Sequence, residues 1–556
     1  MGTVPPDYLP PKELWPTRIY TLPEFAGYPQ KLNSTEELLD KTVAAGHGER
    51  VAVYFEDRKI PYKGLLAQVS KLGSALKKLG LGEADRVALR VPNIPPALVA
   101  NFAVLRIGGI VLPTSPLFSR TEIAHVFNDA EVRAVVVAAG MLEELERARP
   151  DLKTLQHVIV VGGEAEELKR KGYLLYQDLV EGGNPACDPV RRDRMDVAVL
   201  LYTSGTTGPP KGTAHFMEEA LVVPDSFGKY CWQVTEKDVI CSAAPMAMAA
   251  GYSAVASIPY RFGAAASIFP RFTPEGMFEV IQHHKVTILS VLPTAYRKML
   301  QVPEAEKTYD LSSLRICTGG GESLTAQTYL DWKAKFGTEI FEGLGTTEMM
   351  FVFLSAAATK KVKPGAIGPA IPGYVARVVN EEGADCKAGE LGVLMAQGPT
   401  GTVYWRDPPK QKAAVQNGWC RVGDMVQMDE EGNVQFLSRE DDLIKSSGYR
   451  ICPEEIEDAL VAHPGVADAG VVGVPDPVMG QRTKAFVLPK SGVAGNDALR
   501  AEVLEFLKGR IATYKLPRDF EFVEKLPRAP GPGGPGTGKL LRRVLRQQEA
   551  EKAKAR

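Results

Sequence analysis

The sequence predicts an α/β protein, with a large N-terminal domain of parallel-sheet subdomains followed by a small α+β C-terminal domain. Three observations carry this. The chain has 556 residues, more than one core normally accommodates. Between residues 51 and 317, short apolar runs alternate at close intervals with segments that are apolar at helical spacing. That rhythm is the mark of parallel strands joined by covering helices. Beyond residue 452 it gives way to one helix, two strands and a further amphipathic helix.

Residues 1–30 are rich in proline and aromatics and read as an irregular arm on the body. Residues 33–37 offer a helix start, with Ser34 or Thr35 as cap and acids in the first turn. Residues 51–55 form a strand, and 62–79 place Leu65, Leu66, Val69, Leu72, Leu76 and Leu79 on one helical face. The strand 86–91 ends at Pro92-Asn93, and a helix follows over 96–107. Gly108-Gly109 precede the strand 110–112, the helix 121–130 and the strand 134–138. The run 197–201 is a buried strand. After it come strand 239–242, helix 274–284, strand 287–291, helix 294–301 and strand 314–317. In the C-terminal part, 453–460 begins with proline and acids, as a helix start should. Residues 469–474 and 484–488 are strands, and 499–511 is an amphipathic helix.

Composition excludes several classes. Lys+Arg number 66 against 67 Asp+Glu, so no basic excess points to nucleic acid. The seven cysteines are scattered without a C-x-x-C pair, which argues against a zinc site or disulfide framework and for a reducing cytoplasm. No secretory signal is visible, Pro6 spoils a myristoylation pattern at Gly2, and no apolar run is long enough to span a membrane.

The chemistry concentrates in residues 202–212, a strand end breaking into hydroxyls, three glycines, two prolines and a lysine. Glycines let backbone N–H groups close on a polyanion. Ser204, Thr206 and Thr207 add neutral donors, and Lys211 adds a mobile cation. The alternative is an ordinary glycine turn with a solvent lysine, which the density of hydroxyls disfavours. A Walker A loop is excluded, because Gly205 and Gly208 do not stand at its spacing before Lys211.

The segment closely resembles the phosphate loop of the adenylate-forming enzymes: acyl-CoA synthetases, luciferases and peptide-synthetase adenylation domains. The resemblance runs from about residue 8 to 548. It implies ATP and coenzyme A as substrates, Mg²⁺ as cofactor, and a fold that includes a small β-barrel-like part. It also implies two domains, 1–440 binding ATP and acid and a mobile 441–556 carrying the adenylation lysine. Thr203, Ser204, Gly205, Thr206, Thr207, Gly208 and Lys211 would then cradle phosphates. Gly319, Gly320, Gly321 and Glu322 would lie against the adenine, with Gly343, Leu344, Gly345 and Thr346 beside it. Thr347 would touch the α-phosphate or the acyl carbonyl, and Glu348 would bind Mg²⁺. Asp424 would accept from both ribose hydroxyls, although Cys420 replaces the family's usual aromatic nearby. Arg439 would meet ribose or phosphate, and Lys445 joins the cofactor-binding candidates. Asp441 would be the hinge, and Gly448 would let the pantetheine arm pass.

The implied adenylation lysine is Lys539, at the end of a spacer longer than the family's by about six residues of Ala, Gly and Pro. Residues 533–539 imitate most of a Walker A loop. Leu540 stands where Ser or Thr is required, and Pro535 removes a donor, so a flexible loop is the better reading.

Residues 11–16, 32–39 and 343–355 resemble the benzoate and 2-aminobenzoate CoA-ligase branch. Leu344 is not the bulky tryptophan of acetyl-CoA synthetases, and no aspartate near 245–251 awaits an amino group. Pocket candidates are Ala247, Met248, Tyr252, Leu344, Met350 and Phe351. Met248, Ala249, Ala250 and Phe351 depart from the aryl pattern, which has aromatics and a histidine there. The acid is then a substituted aromatic one, or a medium-chain or branched aliphatic one, unless these residues simply pack a helix. A non-catalytic ATP- or acyl-binding sensor of the same fold is the rival class. A homodimer is the assembly kept open.

Overall fold

A computed structural model describes residues 4–203, 209–447, 449–528 and 540–554, the side chains of the last two excepted. The chain divides into two compact units. One is Met1–Ala376 with Ala396–Arg421, and the other is Arg377–Met395 with Val422–Arg556.

The first unit holds two large sheets. In the seven-stranded sheet, Ile110–Pro113, Arg86–Arg90, Ala134–Ala138 and His157–Val161 run parallel, with Val197–Thr203 parallel to the first of them. Most residues of these strands are apolar because both faces are buried; Ala134 to Val137 are all fully covered. The eight-stranded sheet runs parallel from Ile340–Gly345 through Ile316–Gly320, Ile288–Val291, Val239–Ser242 and Ala265–Ser267 to Val51–Phe55. Antiparallel strands Val352–Ser355 and Arg58–Pro61 close its edges. Helices Pro274–His284, Pro293–Leu300 and Ala326–Phe336 contribute to its core, where Trp332 meets Tyr296 edge-on at 4.7 Å.

The sequence places most of these elements correctly, with informative exceptions. The helix-start cap is Asn33, not Ser34 or Thr35. Asn33 Oδ1 accepts from the N–H groups of Thr35 and Glu36, while the hydroxyls of Ser34 and Thr35 donate to the carbonyls of Met217 and Phe102. The expected strand 314–317 is shifted to Ile316–Gly320, because two glycines of low strand propensity are captured by pairing with Glu342 and Gly343. The helix expected over 499–511 ends at Leu507.

A five-stranded sheet that includes Gly392–Gln397, Trp419–Met428 and Val434–Arg439 is the small barrel-like part. The second unit also holds the C-terminal α+β module. Its long hairpin Val466–Asp476/Gly480–Pro489 packs with helices Pro453–Val461 and Asp497–Leu507 around Ile456, Val471, Val487 and Val503.

Candidate active site

The strand Val197–Thr203 turns back antiparallel into Lys211–Phe216, and the register pairs Thr203 with Lys211 and Tyr202 with Gly212. A hydroxyl and an ammonium therefore flank the mouth of the loop. Residues 204–208, which include Ser204, Gly205, Thr206, Thr207 and Gly208, lie outside the described residues. Helix Arg120–Asp129 braces the mouth from one side. His125 Nε2 donates to Pro210 O at 2.8 Å, and Tyr202 Oη donates to Asp129 Oδ2 at 2.5 Å. Burial and the neighbouring carboxylate push the Tyr202 phenol well above its ordinary range, so it stays a donor. Gly212 is required here, because a Cβ would lie 2.8 Å from the Tyr202 ring.

The glycine-rich strand ends come together next. Gly320 sits opposite Gly343, and a Cβ on it would stand 2.7 Å from the Gly343 carbonyl. Glu322, beyond the strand, accepts from Thr294 Oγ1 and from Arg297 Nη2 at 3.3 Å, which fastens it to the helix Pro293–Leu300.

The strands Ile340–Gly345 and Val352–Ser355 form a hairpin whose tip carries Thr346 to Phe351. Met349 N–H donates to Thr346 Oγ1 at 3.2 Å, and Met350 N–H donates to Thr347 O at 3.0 Å. Met350 adopts φ +67°, an unfavourable region for a bulky side chain that persists only when its surroundings fix it. Two hydroxyls do so: Ser253 Oγ donates to Met350 O at 3.2 Å, and Thr400 Oγ1 donates to Met349 O at 2.9 Å. The half-buried Glu348 accepts at Oε1 from Tyr404 Oη at 2.8 Å. Tyr404 sits in a segment paired with the strand that Lys211 begins, since Ala214 N–H donates to Val403 O and Trp405 N–H donates to Gly212 O, both at 2.8 Å. One tyrosine thus joins Glu348 to the far arm of the loop.

Of the pocket candidates, Ala247 is half-buried, Met248 is exposed, and Tyr252, Leu344, Met350 and Phe351 are buried. The Ser253–Met350 bond ties the helix Ala249–Ala256 to the hairpin tip. Phe351 meets Phe227 edge-on at 5.0 Å and Trp232 at 5.9 Å.

Glu342, on the same hairpin, is buried, with Oε1 accepting from Leu324 N–H at 2.9 Å. Desolvation raises its pKa from an ordinary 4.5 to about 7. An acid raised in the folded state costs nothing below its unfolded pKa. The cost grows as pH climbs from 4.5 to about 7 and persists above, at about 1.4 kcal/mol per unit. Glu342→Gln keeps the acceptor and removes the charge. Its unfolding free energy from urea titration, relative to the parent, should therefore rise between pH 5 and pH 8, by roughly 3 kcal/mol at most. A pH-independent difference would refute the assignment.

In the second unit, Asp424 and Arg439 face each other across an antiparallel pair, and the buried Asp424 Oδ1 accepts from Arg439 Nη1. Asp441 is exposed in the turn Glu440–Asp442, and Lys445 is exposed on Ile444–Ser446. Gly448 and Lys539 lie outside the described residues. Sequence reasoning missed His125, Ser253, Thr400 and Tyr404, each far in sequence from the group it holds. No local pattern marks them.

Residues 40–405 match the family described as AMP-binding enzyme, and residues 455–530 match the AMP-binding enzyme C-terminal domain. The chain is 33% identical over 523 residues to the benzoate–CoA ligase of Thauera aromatica, covering 93% of this chain and 96% of that protein. It is 32% identical over 531 residues to the acetyl-coenzyme A synthetase of Bacillus subtilis (strain 168), covering 93% and 91%. Among solved structures, the anthranilate CoA ligase AuaEII in complex with anthranoyl-AMP superposes with a TM-score of 0.87 at 28% identity, covering 95% of this chain and 99% of that one.

Proposed function

Because the chain belongs to the AMP-binding enzyme family and is an acid–thiol ligase using ATP and CoA, we propose that its acid is an aromatic carboxylate of the benzoate or 2-aminobenzoate kind. What supports this most is the likeness to a benzoate–CoA ligase along nearly all of that protein's length. The aromatic cluster of Phe227, Trp232 and Phe351 beside the hairpin tip agrees with it. A medium-chain or branched aliphatic acid is the second reading, favoured by the small side chains of Ala249 and Ala250.

In the first half-reaction a carboxylate oxygen attacks the α-phosphorus of ATP, and pyrophosphate leaves with the electron pair of the broken P–O bond. Thr203, the loop donors, Lys211 and Lys539 offset the phosphate charge, and Thr347 holds the α-phosphate or acyl oxygen. Glu348 suits Mg²⁺, which takes one or two carboxylates and fills its shell with phosphate oxygens and water, since among the described residues Tyr404 engages only its Oε1. Bound there, the ion would neutralise developing charge on the phosphates. Asp424 and Arg439 take the ribose and its phosphate. The small domain, residues 441–556, then turns about Asp441. The CoA thiol attacks the acyl carbonyl beside Gly448, losing its proton to solvent, and AMP departs with the C–O electron pair.

Pyrophosphate release measured over benzoate, aminobenzoates, branched acids and a medium-chain series tests this reading. Release with aromatic acids should exceed that with aliphatic ones, and the reverse order would establish the second reading. Ala250→Phe should then lower kcat/KM for bulky acids more than for small ones. The selectivity should change by about 10–200-fold, the range that one misfit group produces in an apolar pocket. An unchanged profile would remove residue 250 from the pocket.

A further inference from the structure

Arg18 lies in the N-terminal arm, and its side chain is only 8% exposed. The guanidinium reaches in two directions. Nη1 donates to Pro399 O at 2.6 Å, and Nη2 donates to Glu219 Oε1 at 2.7 Å. Its Cζ stands 4.8 Å from the centre of the Phe216 ring. The backbone on either side is fixed as well, since Thr17 N–H donates to Gly418 O at 2.9 Å and Ile19 N–H donates to Gly398 O at 3.0 Å.

Each direction leads to the candidate site. Toward Pro399, the next residue is Thr400, whose hydroxyl accepts from Tyr374 Oη and donates to Met349 O, both at 2.9 Å. Four residues further on, Tyr404 holds Glu348. Gln411 pins this stretch to the arm: it accepts from Tyr404 N–H at 2.8 Å and donates to Thr402 O at 2.8 Å and to Leu14 O at 2.9 Å. Toward Glu219, the other carboxylate oxygen lies 2.8 Å from His215 Nδ1, on the strand that Lys211 begins. All these residues belong to the first unit. The rigid spacing of the guanidinium nitrogens sets the distance between the Pro399 carbonyl and the Glu219 carboxylate. A lysine ammonium keeps the charge but cannot hold both at that spacing.

We propose that Arg18 is a positioning residue: it fixes the hairpin tip of Thr347 and Glu348 relative to the strand that Lys211 begins. This rests on the roles given to Thr347, Glu348 and Lys211 under Proposed function.

The experiment combines kinetics with hydrogen–deuterium exchange on the full chain free of ATP and Mg²⁺. Arg18→Lys is the variant, because removing the charge outright would strand buried carboxylates and report stability instead of position. It should lower kcat for pyrophosphate release by about tenfold or more and leave KM for ATP and acid within about threefold, since a misplaced reacting group costs rate. Amides of residues 346–351 should exchange about tenfold faster or more, while residues 134–138 exchange as in the parent. Thr400→Val breaks the last link to the tip without touching the buried charges. It should give the same pattern, and it decides the matter if Arg18→Lys does not fold. Parent-level kcat, a loss carried by KM alone, unchanged exchange at the tip, or faster exchange at 134–138 as well overturns the inference. Parent-level release by Glu348→Gln overturns the role of the tip and this inference with it. Loss in Glu348→Gln without loss in Arg18→Lys overturns the inference alone.

Discussion

Lys539→Ala should lower acyl-adenylate formation by about 10²–10³, the usual effect of removing one electrostatic contact to a developing charge. It should leave thioester formation from supplied acyl-adenylate nearly intact. Only the first half-reaction builds new negative charge between carboxylate, α-phosphate and departing pyrophosphate. An ammonium there strengthens its interaction as the charge develops, and that difference is what accelerates a step. Single-turnover measurement of each half-reaction checks the outcome. Adenylation at the parent rate would transfer the role to another cation, with Lys211 at the loop mouth and Lys445 as the candidates.

Gly345→Ala should reduce pyrophosphate release by on the order of 10²-fold, the loss that a displacement of about 1 Å produces at a reacting centre. Gly345 is the last residue of its strand before the tip that carries Thr347 and Glu348. An added Cβ would lie 2.3 Å from Phe351 O, 2.7 Å from its carbonyl carbon and 2.8 Å from Val352 N. All three are backbone atoms, so no rotamer change relieves the clash, and the pairing of Gly345 with Val352 has to open. The tip would then lose the geometry that the Ser253 and Thr400 hydroxyls hold. Kinetics on the folded variant, verified by circular dichroism, decide the matter. Parent-level release would mean that the tip tolerates displacement and that Thr347 and Glu348 need no fixed position.

The contrast between Glu348 and Tyr404 shows what was legible in the residues. Glu348 and Lys211 belong to contiguous patterns, because a hairpin tip or a strand-to-strand turn is built from neighbouring residues and leaves a local trace. Strand runs such as 134–138 were legible for a similar reason: a strand buried on both faces must be apolar throughout. Tyr404, 56 residues beyond the Glu348 it holds, left no such trace. Neither did His125 on Pro210 or Ser253 on Met350, since any residue that the fold brings within 3 Å or so can serve.

The capping error at residues 33–35 has the same origin. Asn, Ser and Thr are interchangeable caps in isolation, and tertiary carbonyls from Met217 and Phe102 decided which two hydroxyls were already engaged. By itself, the sequence determined the α/β alternation and the family, both properties of short contiguous segments. Only the tertiary structure decided the sheet order, the tyrosine that links Glu348 to the loop and the buried clusters around Arg18 and Arg542. Those depend on hydrogen bonds and ion pairs between residues far apart in the chain, such as Val53 beside Ala266 and Asp442 beside Arg542, and no local periodicity encodes them.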